Sequence, residues 1–287
     1  MRIVKTINEL ISLVNELKAD NKTIGFVPTM GALHEGHLRL VRQCVAENEV
    51  CIVSVFVNPT QFNNKADLEK YPRNVEKDAQ LLEEAGCAYV FAPSAEEMYS
   101  TDELEKTFEF DFGGMDRLME GKFRPGHFNG VVQVVSKLFK LVQPDKAYFG
   151  KKDFQQLAII HRMVRLMHFP VEVVDCPIVR EASGLAMSSR NERLSAAERD
   201  TAANIYRILN ESRNLTDKMS PGELTQWVTD EVNNAGGLSV EYFDIADRET
   251  LITIDRWQPE SIGCIAVFCG EVRLIDNIEY NVQTREN

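Results

Sequence analysis

Eight consecutive residues, Val50 to Val57 (VCIVSVFV), are apolar except for one serine. So short a run, rich in β-branched side chains, predicts a strand covered on both faces, the kind found in parallel sheets. Parallel neighbours need crossover connections, usually helical. The flanking sequence supplies them. Thr6 and Glu9 form a capping box ahead of a helix to Leu17, with Ile7, Leu10, Ile11, Val14 and Leu17 on one face. Thr23 to Val27 reads as a strand, and an amphipathic pattern (Leu38, Val41, Cys44, Val45) carries a helix to about Glu49. Further helices are expected over Asn74–Ala85, closed by Gly86, over Val131–Val142, and after Asp153, capped through Gln156, with Leu157, Ile160, Val164 and Met167 inward. Strands are expected over Ala88–Ala92, Lys146–Phe149, and Val171–Val174 with Ile178–Val179. Thr107–Phe112 (TFEFDF) alternates like an edge strand or a strand at a subunit contact.

This alternation is the signature of a doubly wound α/β sheet with right-handed crossovers. After Arg180 the pattern changes to helices starting at Ser195 and Ser220-Pro221, then apolar runs at Val240–Ile245, Leu251–Ile254, Cys264–Cys269 and Val272–Ile275. That is an α+β pattern, so domains are expected at 1–180 and 181–287, with a cleft between them.

Composition narrows the function. A net charge of −12 argues against general nucleic-acid binding. Within this acidic chain, lysine and arginine far outnumber Asp145 and Asp153 between Gly121 and Arg165. Some of these cations are solvated helix faces, and the rest suit an anionic small ligand. No apolar stretch is long enough to span a membrane, and the N-terminus lacks secretory blocks. The cysteines at 44, 51, 87, 176, 264 and 269 are scattered without CxxC. They read as reduced core residues of a cytoplasmic protein.

The chemistry gathers in loops at strand ends, where α/β sheets bind ligands. VPTMGALHEGHL (27–38) reads as strand, small-residue turn and helix N-terminus. Exposed N–H groups and the helix dipole suit a phosphate there, and His34 and His37 add donors. Two histidines three apart can also be a metal pair or ordinary surface residues; a metal pair needs further ligands, and no HExxH or cysteine cluster supplies them. The other clusters are NPTQF (58–62), RPGH (124–127), GKKD (150–153) with Gln155, and MSSR (187–190). Ser188, Ser189 and Arg190 offer two hydroxyls and a planar guanidinium to phosphates. Lys152 adds a compact charge, and Asp153 can accept from ribose hydroxyls or cap a helix.

With these residues in hand, the sequence resembles the pantothenate synthetase (pantoate–β-alanine ligase) family of HxGH nucleotidylyl transferases. The matching segments are VPTMGALHEGHL, VFVNPTQFN, YPR (71–73), RPGHFNGVV (124–132), VQPDKAYFGKKDFQQL (142–157) and LAMSSRNERL (185–194); VRLIDN (272–277) matches less distinctively. The resemblance implies a Rossmann-like ATP- and pantoate-binding domain, and an α+β C-terminal domain closing over the site. It implies a cytoplasmic homodimer using ATP with Mg²⁺ and no protein metal ligand. Pantoate and ATP would give pantoyl adenylate and pyrophosphate, and β-alanine would then release pantothenate and AMP.

It also implies residue roles. Met30, Gly31, Ala32, Leu33, His34, Glu35, Gly36 and His37 would line the ATP site. His34, His37, Lys152 and Arg190 would form the catalytic set, with His37 the proton donor or charge stabiliser. Lys152, Ser188, Ser189 and Arg190 would meet phosphates, Gly150 and Asp153 the ribose, and Val179 the adenine, with Lys151 and Met187 also in the ATP site. Gln61 and Gln155 would bind pantoate; Gln61 and Asn58 would place β-alanine. Tyr71, Arg124 and His127 would border the site. Lys151 departs from the family pattern, in which an acidic residue or Gln precedes the Lys-Asp pair. That opens the question of which lysine meets the phosphates; the place before Asp153 favours Lys152.

Two other readings compete. A nucleotidyltransferase acting on a phosphate-bearing substrate should need more Arg and Lys near the first strands. A non-enzymatic nucleotide-binding module would need neither the amide side chains nor a second domain carrying MSSR.

Overall fold

The computed structural model describes the chain except residues 63–67, 70, 72, 106–107 and 283–287, and for residue 105 the backbone alone. A six-stranded parallel sheet runs in the order β1-β4-β3-β2-β5-β6. Its strands are β1 (Arg2–Val4), β2 (Ile24–Thr29), β3 (Val50–Val55), β4 (Tyr89–Phe91), β5 (Lys146–Gly150) and β6 (Glu172–Cys176). The long helices between them are α1 (Ile7–Ala19), α2 (Glu35–Glu47), α3 (Val75–Glu84), α4 (His127–Val142) and α5 (Phe154–Leu166).

Strand alternation feeds both sheet faces. Val27, Val53, Val55 and Val90 pack with Leu38 and Val41 of α2 and Leu82 of α3. On the other face Phe26 meets Phe139 of α4 edge to face, with ring centroids 6.3 Å apart, and α4 in turn packs on α1. All six residues of β3 are buried, as its apolar run requires.

The later part of the chain forms α6 (Ala196–Ser212), α7 (Pro221–Asn234) and an antiparallel sheet β7-β8-β9 of Leu238–Asp247, Ser261–Cys269 and Val272–Tyr280. Ser195–Glu198 and Ser220–Glu223 are reciprocal capping boxes. Ile205, Ile208, Leu224 and Val228 pack on Ile265, Val267 and Leu274.

Two compact units result. The first comprises Met1–Phe112, Phe123–Lys151 and Ile159–Pro177; the second comprises Gly113–Lys122, Lys152–Ala158 and Ile178–Asn287. The units therefore change within the chain at places other than a single break at 180, and the first turn of α5 belongs to the second unit.

Several elements differ from the expectation. Within the alternating TFEFDF segment, Phe108 to Phe112 form no strand, and Thr107 lies outside the described residues. Side chains take carbonyls there: Asn129 Nδ2 donates to Phe108 and Arg162 Nε to Asp111. The alternation reflects Phe112 burial and Phe110–Phe112 ring contact. Leu251–Ile254 follows a turn at 248–250 and folds back on β7 without forming a strand, with Leu251 at φ 60° and a single bridge from Thr253 to Ala246. Ile178 and Val179 lie beyond β6. Strand β1 adds to the expected set, because three edge residues are too few to show a period.

All six cysteines are free and buried. Burial pushes the Cys176 thiol up to about 12, which holds it protonated and inert. Among the described residues, no helix is long and apolar enough to cross a membrane.

Candidate active site

In the first unit the topological switch falls between β2 and β5. Only Gly25↔Lys146 and Phe26↔Ala147 pair there, whereas β2 and β3 pair along their whole length. The loops after β2, β3 and β5 all leave the carboxyl ends of these parallel strands. They carry HEGH, NPTQ and GKKD respectively.

The loop after β2 is held from beneath by Asp78 of α3. Its carboxylate accepts from Ala32 N at 3.0 Å and Leu33 N at 2.8 Å. Gly31 sits at φ +78°, and a Cβ there would come within 2.8 Å of the same carboxylate. Burial pushes the Asp78 carboxyl above its ordinary value, and the two N–H bonds pull it back. Asp78 is absent from the site residues read from sequence. Its signal there is an acidic residue inside the buried stripe of an otherwise amphipathic helix, four residues before Leu82.

His34 caps α2, and the two histidines close a reciprocal box. His34 Nδ1 accepts from Gly36 N at 3.1 Å, and His37 Nδ1 accepts from His34 N at 3.4 Å. Acceptance requires bare Nδ1 atoms, so each neutral ring carries its proton on Nε2. The rings lie 4.1 Å apart. Two imidazole donors thus stand at a helix N-terminus. Glu35 pairs with Arg42 on the exposed side.

The loop after β3 is a short 3-10 turn, Pro59–Gln61, capped by Asn58. Asn58 and Gln61 are both buried. Asn58 Nδ2 donates to Gln61 Oε1 at 3.2 Å and to the Gly130 carbonyl at 3.0 Å. Its Oδ1 accepts from Thr60 and from the Tyr99 hydroxyl. Gln61 Nε2 lies 2.7 Å from Met30 Sδ. The α4 N-terminus docks on this turn. A Cβ at Gly130 would lie 2.4 Å from the Thr60 carbonyl oxygen, and His127 Nδ1 donates to the Gln61 carbonyl at 2.9 Å. His127 is therefore buried against the turn. Tyr71 stacks edge to face on Phe62.

In the second unit, Lys152 and Asp153 follow Gly150 and Lys151 in a 3-10 turn. Asn277 Nδ2 donates to the Lys152 carbonyl at 2.9 Å, and Asp276 accepts from Asn277 N. Asp276 also takes both terminal nitrogens of Arg180, at 2.6 and 3.0 Å, while that guanidinium stacks 3.6 Å over Tyr206. Arg180 begins a tight return in which Met187 N donates to Val179 O. Asn191 bonds Glu181 and the Ala186 carbonyl, so Val179 and MSSR are one pinned structure. Ser188 Oγ caps the turn Ser189–Arg193. Among the described residues, neither Lys152 nor Arg190 has an ion-pair partner.

Gln155 behaves unlike Gln61. Its Nε2 donates to the carbonyls of Met115 (2.7 Å) and Leu118 (2.9 Å), and its Oε1 accepts from Glu120 N at 2.9 Å. Every hydrogen-bonding group of that amide is engaged, so Gln155 has no N–H to offer a ligand. It staples the segment Gly113–Lys122. Glu120 bonds in turn to Arg273 (2.6 and 3.0 Å) and Tyr242 (2.9 Å), and Arg273 also pairs with Glu241. Burial opposes the Arg273 charge, but Glu120 and Glu241 push its pKa well above the ordinary arginine value. The neighbouring Gln156 is half-buried, and its side-chain amide has no hydrogen-bond partner among the described residues.

The whole chain has relatives. Residues 2–279 match the family model described as pantoate-beta-alanine ligase. A pantothenate synthetase of Porphyromonas gingivalis is 56% identical over 98% of this chain and 99% of its own length. One from Bacteroides thetaiotaomicron is 55% identical over the same shares. A crystal structure of pantothenate synthetase from Thermus thermophilus superposes with a TM-score of 0.90, at 44% identity, covering 98% of this chain and 100% of that one. A pantoate-beta-alanine ligase from Francisella tularensis, complexed with beta-gamma ATP and beta-alanine, gives 0.81 at 35% identity, covering 97% of both chains.

Proposed function

The chain belongs to the pantoate–β-alanine ligase family, and from that premise we propose how its own residues carry out the reaction. It is a ligase that joins pantoate to β-alanine at the expense of ATP. In the first step the pantoate carboxylate attacks the α-phosphorus. The bond to the bridging oxygen breaks, and pyrophosphate leaves. In the second step the free amine of β-alanine attacks the acyl carbon of pantoyl adenylate, the bond to the AMP oxygen breaks, and the nitrogen gives up a proton, leaving pantothenate and AMP.

Pantoate arrives as a carboxylate, so the first step needs alignment and charge neutralisation more than a base. The reciprocal lock between His34 and His37 carries this reading. It fixes two Nε2–H donors at the positive end of α2, where phosphate oxygens gain most. His37 is the group for the developing charge on the leaving pyrophosphate. Met30 to Leu33, Glu35 and Gly36 line the nucleotide, with Asp78 setting the loop's shape. Lys152, Ser188, Ser189 and Arg190 bind phosphates; Gly150 and Asp153 bind the ribose, and Val179 and Met187 the adenine side. Lys152 is favoured over Lys151 because Asn277 holds its main chain and its ammonium has no partner among the described residues.

Gln61 binds pantoate and borders β-alanine. Asn58, its amide fully used by protein groups, acts by positioning Gln61. Gln155 gives up the role expected for it, and Gln156 takes the second pantoate contact.

Mg²⁺ fits as part of the nucleotide substrate. Among the described residues no group of histidines, cysteines or carboxylates is arranged to hold a metal. The side chains assigned to phosphate are donors, and the Asp78 carboxylate is taken by backbone. We place the enzyme in the cytoplasm as a homodimer, as the family resemblance suggests.

The test is isotope exchange between pyrophosphate and ATP. Exchange should require pantoate and proceed without β-alanine, and His37→Ala should slow it by about 10²–10⁴. Exchange in the absence of pantoate, or none with it, would overturn the acyl-adenylate route.

A further inference from the structure

We propose that Tyr99 and Asn58 fix the polarity of the Gln61 amide, so that Gln61 meets the acid substrate with an N–H and never with its carbonyl oxygen. The inference rests on the reading that Gln61 contacts pantoate and adds which end of the amide does so.

A glutamine amide can turn over, and by itself it offers a donor or an acceptor equally well. Here two backbone groups remove the choice three residues upstream, at Asn58. Thr60 N can only donate, so the Asn58 atom facing it is Oδ1; the Gly130 carbonyl can only accept, so the atom facing it is Nδ2. The Tyr99 hydroxyl donates to the same Oδ1 at 3.0 Å from a buried position. Burial raises the Tyr99 pKa well above the ordinary phenol value, which keeps its proton in place. With Asn58 so set, its second Nδ2 hydrogen points at Gln61 and must meet Oε1. Nε2 is left for the ligand side.

Its partner there is informative. Met30 Sδ is the acceptor that Nε2 meets among the described residues, and a thioether is a weak one. A carboxylate or hydroxyl oxygen would displace it with a gain. The chain of donors thus runs Tyr99 to Asn58 to Gln61 to the acid. A site of this polarity selects an acceptor oxygen at that point and disfavours a ligand group that can only donate.

Steady-state kinetics of four proteins decide it: the natural enzyme, Gln61→Ala, Gln61→Glu and Tyr99→Phe, each with KM for pantoate and for ATP and a thermal midpoint. Gln61→Glu keeps the shape and loses the N–H. It should raise KM for pantoate more than Gln61→Ala does, because a carboxylate then faces an acidic substrate. Tyr99→Phe should raise KM for pantoate by about three- to tenfold, with KM for ATP unchanged, as expected for the loss of one neutral hydrogen bond. If Gln61→Ala impairs pantoate binding while Gln61→Glu is close to natural, the polarity is overturned and the placement of Gln61 stands. If Gln61→Ala is silent, the placement itself fails, and the inference with it. Should Tyr99→Phe fold poorly, the Ala–Glu comparison still decides. A well-folded Tyr99→Phe with unchanged pantoate KM removes Tyr99 from the chain of donors.

Discussion

Two buried glutamines, one in each unit, look alike in sequence and are bonded differently. Gln61 is held at its oxygen and leaves its nitrogen on a weak sulfur acceptor. Gln155 is held at both ends by three backbone groups from Met115, Leu118 and Glu120. Burial is similar, at 7% and 4% exposure, so burial does not separate them. Satisfaction does. A buried amide whose donors are spent on protein is a strut, and one with a donor on a weak partner is poised for a ligand.

The strongest way to break this contrast is at Arg273. It neutralises Glu120, which shares a short helix with the segment stapled by Gln155. Arg273→Ala leaves a buried carboxylate uncompensated and should destabilise the second unit by about 3–5 kcal/mol, measured by calorimetry. A fall of less than about 1 kcal/mol would mean that Glu120 finds water instead, and the anchored segment would lose its explanation. Next come the adjacent amides. Gln155→Ala should cost about 2–3 kcal/mol of stability, roughly one per lost hydrogen bond, with pantoate KM little changed in the folded enzyme. Gln156→Ala should leave the melting point alone and raise pantoate KM by about tenfold, the loss of one hydrogen bond to a charged ligand. The reverse pattern would return the ligand role to Gln155. The smallest effect lies at the helix caps. Hydrogen bonds from Ser220 lower the Glu223 pKa below its ordinary 4.5. Ionised Glu223 therefore stabilises α7 above that value and loses the contribution as pH falls through the lowered one. The difference in thermal midpoint between the natural protein and Glu223→Gln should shrink as the pH drops below 4.5. A difference that persists at low pH would assign the cap to shape alone.

Much of this was legible because it is local. The apolar run of β3, the capping box at Thr6, the serine caps at Ser195 and Ser220, and the strand–turn–helix of HEGH each depend on residues a few positions apart. A side chain that satisfies its own neighbourhood announces itself in order along the chain. Elements that depend on a distant partner did not. β1 exists because β4 lies beside it, and Phe108–Phe112 lacks a ladder because side chains of Asn129 and Arg162 occupy its carbonyls.

The same division holds at the candidate site. Residue types at strand ends were enough to point to phosphate, to a small acid and to a family, since charge and hydrogen-bonding capacity are properties of the side chains themselves. Which of those capacities is already used is a property of the fold. Asp78 reaches Ala32 and Leu33 across 46 and 45 residues of sequence, and Gln155 reaches Met115 across 40. No spacing rule connects such positions. The sequence by itself determined the alternating α/β order, the chemical character of each loop and the family. Only the tertiary structure decided that the Asn58 amide is spent on protein groups, that the Gln155 amide is taken by three backbone groups, and that Gln61 Nε2 faces Met30 Sδ. A buried polar atom is assigned by whichever distant backbone group folding brings within reach of it.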